Sequence, residues 1–197
     1  MKIQKYVLLL VFGLTYYHEI EAQSIKEELY ACAYERFDAH DYQGAIEFYT
    51  RVAELFPNDS MVYFDRAMAK EQLHDYQGAI DDYTKQLSID SSNVDSYFLR
   101  GLMKNKLKLF NEAIVDLTRT LKLEDDNADA FFERGNAYIE LKNYKMAMLD
   151  YDTAVKLNPR VAKYYQKRAD LKTKLGQKEQ AEKDIKTYNQ LIAIEPQ

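Results

Sequence analysis

The side chains best suited to catalysis are few, and their placement is unlike that of an active site. The chain has three histidines and one cysteine, which are His18, His40, His74 and Cys32. His40 and His74 occupy the same place in two copies of one heptapeptide, so we expect them to end helices rather than to act as bases. The sequence has no Gly-rich phosphate loop, no serine-nucleophile motif and no metal-spaced cluster. We therefore expect a protein that is not an enzyme and that binds no cofactor and no metal.

Composition narrows both the fold and the kinds of partner. Six glycines and three prolines in 197 residues are too few for a turn-rich all-β fold. One cysteine can form neither an internal disulfide nor a thiolate zinc site. The net charge of −5 argues against a nucleic-acid binder, because that function needs a clustered excess of lysine and arginine. What composition favours is a helical protein with enough apolar material for a continuous core.

Residues 1–22 have the pattern of a secretory signal peptide. Two lysines precede an uncharged apolar run over residues 6–17, and Ala22 offers a small residue for cleavage before Gln23. A helix of this length rises about 18 Å, well short of the roughly 30 Å of membrane hydrocarbon. We therefore expect export to a periplasm, a cell envelope or the exterior, with residues 23–25 as a short linker. An uncleaved membrane anchor and a buried N-terminal helix are the alternatives.

After residue 25 the chain repeats one pattern five times with a period of 34 residues. The windows are 26–59, 60–93, 94–127, 128–161 and 162–195, and the last extends to residue 197 as a capping repeat. Position 20 of each window is alanine, position 8 is alanine or glycine, and positions 4, 17 and 24 are mostly aromatic. Positions 4, 8 and 11 share one helical face, and positions 20, 24 and 27 share another. Each window therefore predicts an antiparallel helix pair that must stack on its neighbours to bury its apolar face.

This pattern resembles the tetratricopeptide repeat (TPR). The resemblance implies an all-α fold, a right-handed superhelical solenoid of antiparallel helix pairs. It also implies that first-helix positions 2, 5, 9, 12 and 13 line an inner concave surface. Some members of the family bind the C-terminal carboxylate of chaperones through a clamp of lysine, asparagine and arginine side chains. The equivalent positions here hold Tyr30, Tyr34, Asp65, Asp95 and Leu99, so we expect no chaperone-tail clamp.

Two positions depart together from the family pattern. Position 7, usually leucine, is arginine in the last four windows, and position 23 is aspartate in the same four. In the first window these positions are Cys32 and Phe48. Because position 7 is arginine only in windows where position 23 is aspartate, we predict an ion pair between the two helices of each of these repeats. The pairs are Arg66–Asp82, Arg100–Asp116, Arg134–Asp150 and Arg168–Asp184. The alternatives are exposed pairs of little energetic value and a row of arginines that binds a polyanion.

First-helix positions 5, 9 and 12 carry an excess of aromatic and apolar side chains, which we predict to form the partner-binding groove. Its residues are Tyr30, Tyr34, Phe37, Phe64, Met68, Phe98, Leu102, Phe132 and Asn136. Packing against a neighbouring helix is the alternative for position 5. Acidic residues surround the first four repeats of this strip, at Glu27, Asp38, Asp65, Asp95, Asp129, Glu133 and Glu140. Lysines 163, 167 and 174 follow at its C-terminal end. We expect a partner segment with apolar and basic residues.

Together these patterns predict an exported, non-enzymatic scaffold that presents a concave aromatic groove to a protein or peptide. We expect it to bind no nucleic acid, and no membrane beyond the signal segment. One alternative is a structural subunit of a larger envelope or secretory complex, with the groove occupied by its own tail or by another copy. Another is a small-ligand carrier or an enzyme that uses the aromatic channel.

Overall fold

All regular structure in the described part of the chain is helical. The structure is a computed structural model that describes residues 2–193, with side chains from Ile20 to Ala193. The helices within that range are α1 (Lys2–Asp38), α2 (Tyr42–Leu55), α3 (Ser60–Gln72), α4 (Tyr76–Ile89), α5 (Val94–Lys106), α6 (Phe110–Leu123), α7 (Ala128–Glu140), α8 (Tyr144–Leu157), α9 (Ala162–Lys174) and α10 (Lys178–Ile192).

The helices form two compact units. Unit 1 ends at Ile89 and contains α1 to α4, whereas unit 2 begins at Asp90 and contains α5 to α10. Within each unit, every helix packs against the next helix along the chain. Connections of three residues join the two helices of a repeat. Connections this short reverse the chain direction and make the paired helices antiparallel. The predicted fold class, an all-α array of antiparallel helix pairs, is confirmed.

The first helix begins well before the first repeat. Residues 23–25, which the sequence pattern assigns to a linker, lie within α1. Residues 14–38 contain no glycine or proline, so no residue in this stretch breaks the helix before the repeat starts. The side chains of residues 6–17, which carry the prediction of export, lie outside the described residues. Among the residues that are described, no helix is long and apolar enough to cross a membrane.

The core of each repeat lies where its two helices cross. The small residues at positions 8 and 20 are buried in every repeat, as are the tyrosines at position 24, Tyr49, Tyr83 and Tyr151. At Gly135 an added Cβ would lie 2.8 Å from two ring carbons of Tyr151. The missing side chain therefore allows the aromatic ring to pack directly on the neighbouring backbone.

Two residues after the first helix of each repeat ends, at position 15, the backbone adopts left-handed geometry. The φ angles are 60° at His40 and His74, 62° at Lys108, 58° at Lys142 and 77° at Gly176. Each histidine Nδ1 also lies 2.9–3.1 Å from the hydroxyl of the tyrosine two residues further on. The two histidines therefore sit in helix-ending turns.

Replacing Lys142 with glycine should raise the free energy of unfolding by about 0.5–1 kcal/mol, because glycine adopts positive φ without steric cost. The converse change, Gly176→Ala, should lower it by about 1 kcal/mol at an equivalent site. Urea denaturation followed by circular dichroism measures both values. Destabilisation by Lys142→Gly would show that the lysine side chain contributes more to the turn than its backbone strain costs.

Candidate partner-binding surface

In unit 1, α1 and α3 carry five of the side chains predicted to line the groove. We call Tyr30, Tyr34, Phe37, Phe64 and Met68 the unit 1 aromatic surface. The first three lie at i, i+4 and i+7 along α1 and so share one face of the helix. Tyr30 and Tyr34 stack with ring centres 5.8 Å apart. Tyr34 is 46% exposed, whereas the other four residues are half-buried. This surface therefore combines an ordered aromatic stack with one accessible ring.

Both stacked tyrosines are anchored by carboxylates. The Tyr30 hydroxyl donates to Asp59 at 2.9 Å, and the Tyr34 hydroxyl donates to Asp65 at 2.8 Å. Burial and these carboxylates raise the pKa of both phenols, which therefore remain protonated donors. Burial also favours a higher pKa at Asp59, but hydrogen bonds from Lys26 and Tyr30 outweigh it and lower that pKa. Burial prevails at Asp65, whose pKa is raised.

In unit 2, the predicted groove residues are less accessible. Phe98 is half-buried against a cluster formed by Leu117, Leu121 and Ala130. Leu102 is half-buried as well. Phe98 therefore packs against its neighbours, which is the alternative that the sequence left open for position 5.

Phe132 is buried and does not form part of an open surface. Its side chain is only 4% exposed, because the ring of Tyr164 lies 4.9 Å away and that of Tyr151 lies 5.6 Å away. Asn136 is also engaged, since it accepts a hydrogen bond of 2.7 Å from the Tyr151 hydroxyl and donates to Glu133. The assignment of Phe132 to the groove is therefore corrected: a side chain from the next repeat covers it.

The residues that cover Phe132 are not among those predicted to line the groove. Tyr164 stands at position 3 of its window, where the other windows have Glu28, Val62, Ser96 and Ala130. The adjacent Lys163 forms an ion pair of 2.8 Å with Asp129, and its ammonium lies 5.1 Å from the centre of the Phe132 ring. The sequence does contain a sign of this contact, because position 3 is small or aliphatic in the three preceding windows and aromatic only at Tyr164.

Arginine–aspartate pairs join the two helices in the last four repeats. In each pair the guanidinium donates through Nε and Nη2 to the two carboxylate oxygens, at 2.6–2.9 Å. The aspartates are Asp82, Asp116, Asp150 and Asp184, and each is 1–5% exposed. At Arg66, burial opposes the charge but the Asp82 carboxylate outweighs it and raises the pKa. These are buried, bidentate ion pairs.

A second cation binds three of these carboxylates. Lys70, Lys104 and Lys172, at position 11, lie 2.7–2.8 Å from the aspartates of their own repeats. The fourth repeat has Tyr138 at this position, so among the described lysines and arginines Asp150 pairs with Arg134 alone. Sequence reasoning did not pair these lysines, although lysine at position 11 occurs only in windows with aspartate at position 23.

Comparison with known families identifies the repeat. Profiles of the tetratricopeptide repeat match residues 30–94, 128–161 and 162–197. The chain belongs to the tetratricopeptide repeat family. Among curated protein sequences, none gives a significant match to this TPR chain.

Solved TPR structures share the fold. A crystal structure of MamA is 20% identical, with a TM-score of 0.81 over 86% of this chain and 92% of that one. A MamA structure from Desulfovibrio magneticus RS-1 is 18% identical, with a TM-score of 0.84 over 88% and 98%. YrrB, a TPR protein with an unusual peptide-binding site, is 18% identical, with a TM-score of 0.71 over 81% and 82%. At these identities the likeness establishes the fold.

The remaining reactive side chains of this TPR chain are dispersed. Among the described residues, no three His, Cys, Asp or Glu side chains form a group that could hold a metal ion. Cys32 is a free, partly buried thiol on α1.

Proposed function

We propose that this protein is a non-enzymatic scaffold that binds a protein or peptide segment on the unit 1 aromatic surface. The single observation that carries the proposal is the exposed Tyr34 ring, which is held in place by Tyr30 and Asp65. A fixed aromatic ring contributes contact area at low entropic cost. The likeness in fold to YrrB, a TPR protein with an unusual peptide-binding site, supports the binding of a protein or peptide segment.

The charges favour a partner with basic as well as apolar residues. Asp65 and the exposed Asp38 belong to the same helices as the aromatic rings. Together with Asp65, Asp38 contributes to the raised pKa of the Tyr49 phenol, after burial as the main cause. The Asp65 carboxylate accepts a hydrogen bond from the exposed Tyr34, so negative charge lies beside that ring and attracts cationic segments. We further propose that the partner is met after export, because the N-terminal apolar run resembles a secretory signal.

Replacing Tyr34 and Phe64 with alanine should reduce the amount of captured partner at least about tenfold. Truncation of a central aromatic anchor commonly costs about 2 kcal/mol or more of binding free energy. The measurement is affinity capture from the exported protein fraction by the immobilised full chain, with quantitative mass spectrometry of the bound proteins. Circular dichroism of the variant should show unchanged helical content.

The matched control is Val115→Ala with Leu149→Ala. These side chains are 68% and 58% exposed, so the control removes accessible apolar area from unit 2 and leaves the residues of the unit 1 aromatic surface unchanged. It should leave capture unchanged. Equal loss in both variants, or no loss in either, would rule out the unit 1 aromatic surface as the binding site.

A further inference from the structure

The chain holds one of its own lysines between a carboxylate and an aromatic ring at the start of unit 1. Asp59 accepts a hydrogen bond of 2.9 Å from the Tyr30 hydroxyl. The Lys26 ammonium lies 2.8 Å from the same carboxylate and 5.6 Å from the centre of the Phe56 ring. The lysine thus combines an ion pair with a cation–π contact, beside a tyrosine that fixes the carboxylate.

Unit 2 contains the same combination. Asp129 accepts a hydrogen bond of 2.9 Å from the Tyr164 hydroxyl, and the Lys163 ammonium lies 2.8 Å from that carboxylate. The ammonium is also 5.1 Å from the Phe132 ring centre and 5.6 Å from the Tyr164 ring centre. Two separate places in the chain therefore use one arrangement to hold a basic side chain.

A third arrangement of this kind has the tyrosine, the carboxylate and the rings, but takes no cation from the described residues. The Tyr34 hydroxyl donates to Asp65 at 2.8 Å. The Tyr34 ring stacks on Tyr30 and lies edge-on to Tyr49, with centres 6.0 Å apart. No described lysine or arginine forms an ion pair with Asp65, and burial raises the pKa of this carboxyl. A carboxylate that is partly desolvated without a counter-charge gains from a cation supplied by another molecule.

We propose that Asp65 and the exposed ring of Tyr34 bind a lysine or arginine side chain of the partner segment. The inference rests on the proposed function, because the basic side chain belongs to the peptide that the unit 1 aromatic surface binds. The carboxylate can accept hydrogen bonds beyond the one from Tyr34, and the open face of the ring attracts a cation. The site thereby specifies the charge of one partner residue, which the apolar side chains around it cannot do.

A double-mutant cycle on a selected peptide tests this inference. The full chain is used to select peptides from a displayed random library, and the dissociation constant of an enriched peptide is measured by titration. Asp65→Asn should weaken binding by about tenfold, the scale of a charge-assisted hydrogen bond. Replacing the basic peptide residue with glutamine should weaken binding to the wild type equally. Combining the two changes should cost little more than either change alone.

The controls separate this site from general electrostatics. Asp65→Asn keeps an acceptor for the Tyr34 hydroxyl, so the helices should remain folded. Asp81→Asn removes the same charge from an exposed site on α4 and should change affinity less than about twofold. Tyr34→Leu, which removes the ring face, should weaken binding of the basic peptide more than of its glutamine version.

Three results would overturn the inference. They are an effect of Asp65→Asn no larger than that of Asp81→Asn, additive losses in the cycle, and selected peptides without a basic residue. In each of these cases peptide binding itself would stand, so the proposed function would survive. Selection of no peptide sequence by the wild type would overturn both proposals.

Discussion

Replacing Asp116 with alanine should lower the free energy of unfolding by about 3–5 kcal/mol, the cost of breaking a buried ion pair on one side. Asp116 is 2% exposed and accepts from Arg100 Nε at 2.8 Å, from Arg100 Nη2 at 2.6 Å and from Lys104 Nζ at 2.8 Å. Without this carboxylate, Arg100 and Lys104 lose their counter-charge, although their side chains are only 14% and 12% exposed. Urea denaturation followed by circular dichroism measures the loss.

Two further aspartates calibrate this result. Asp125→Ala changes an exposed connecting residue of the same unit and should shift stability by less than about 0.5 kcal/mol. Asp150→Ala should cost less than Asp116→Ala, because Asp150 pairs with Arg134 and with no other described lysine or arginine.

The double variant Arg134→Cys/Asp150→Phe copies the apolar pair Cys32 and Phe48 of the first repeat. It should recover part of the Asp150→Ala loss, since an apolar pair leaves no buried charge unpaired. A change near zero at Asp116 would mean that the pair is solvated in solution.

The second large effect is expected at Tyr151, where alanine should cost about 3–5 kcal/mol through the cavity left by an aromatic side chain. Tyr151 is 1% exposed and packs against Phe132 and the backbone at Gly135. Because each repeat contacts only its neighbours, the loss should also reduce cooperativity between α8 and the adjacent helices.

Tyr151→Phe is the matched control, since it keeps the ring and removes only the hydroxyl. That hydroxyl donates to Asn136 Oδ1 at 2.7 Å, so its loss should cost about 1 kcal/mol. Chemical denaturation of both variants separates ring packing from the hydrogen bond. Equal losses would contradict the cavity explanation and assign the effect to the Asn136 contact.

Most of the fold can be predicted from the spacing of residue types along the chain. Alanine or glycine at positions 8 and 20 predicts close backbone approach, and aromatic residues at position 24 predict packing, as Tyr49 and Tyr151 illustrate. Both features depend only on which face of a helix a residue occupies, and a period of 3.6 residues determines that face. The joint change at positions 7 and 23 likewise pointed to arginine–aspartate contacts, because a buried arginine needs a carboxylate.

The accessibility of the proposed binding surface could not be derived in the same way. Tyr34, at position 9 of the first repeat, and Phe132, at position 5 of the fourth, were both predicted to line the groove, yet one is 46% exposed and the other 4%. The difference arises because Tyr164, 32 residues after Phe132, places its ring over it. The direction of such a side chain depends on rotamers and on the packing of the next repeat, which the 34-residue period does not encode.

The 34-residue pattern is sufficient to predict an array of TPR helix pairs with small residues at the crossings and arginine and aspartate at matching positions. Which polar groups form contacts and which aromatic rings remain exposed became clear from the packing of the repeats. This packing joined Tyr34 to Asp65 and left that carboxylate without a basic partner among the described residues, while Asp59 and Asp129 each hold a lysine. A helix and its buried face follow from neighbours within two turns. The contact of Tyr34 with Asp65, the lysine contacts of Asp59 and Asp129 and the covering of Phe132 join residues about 30 positions apart.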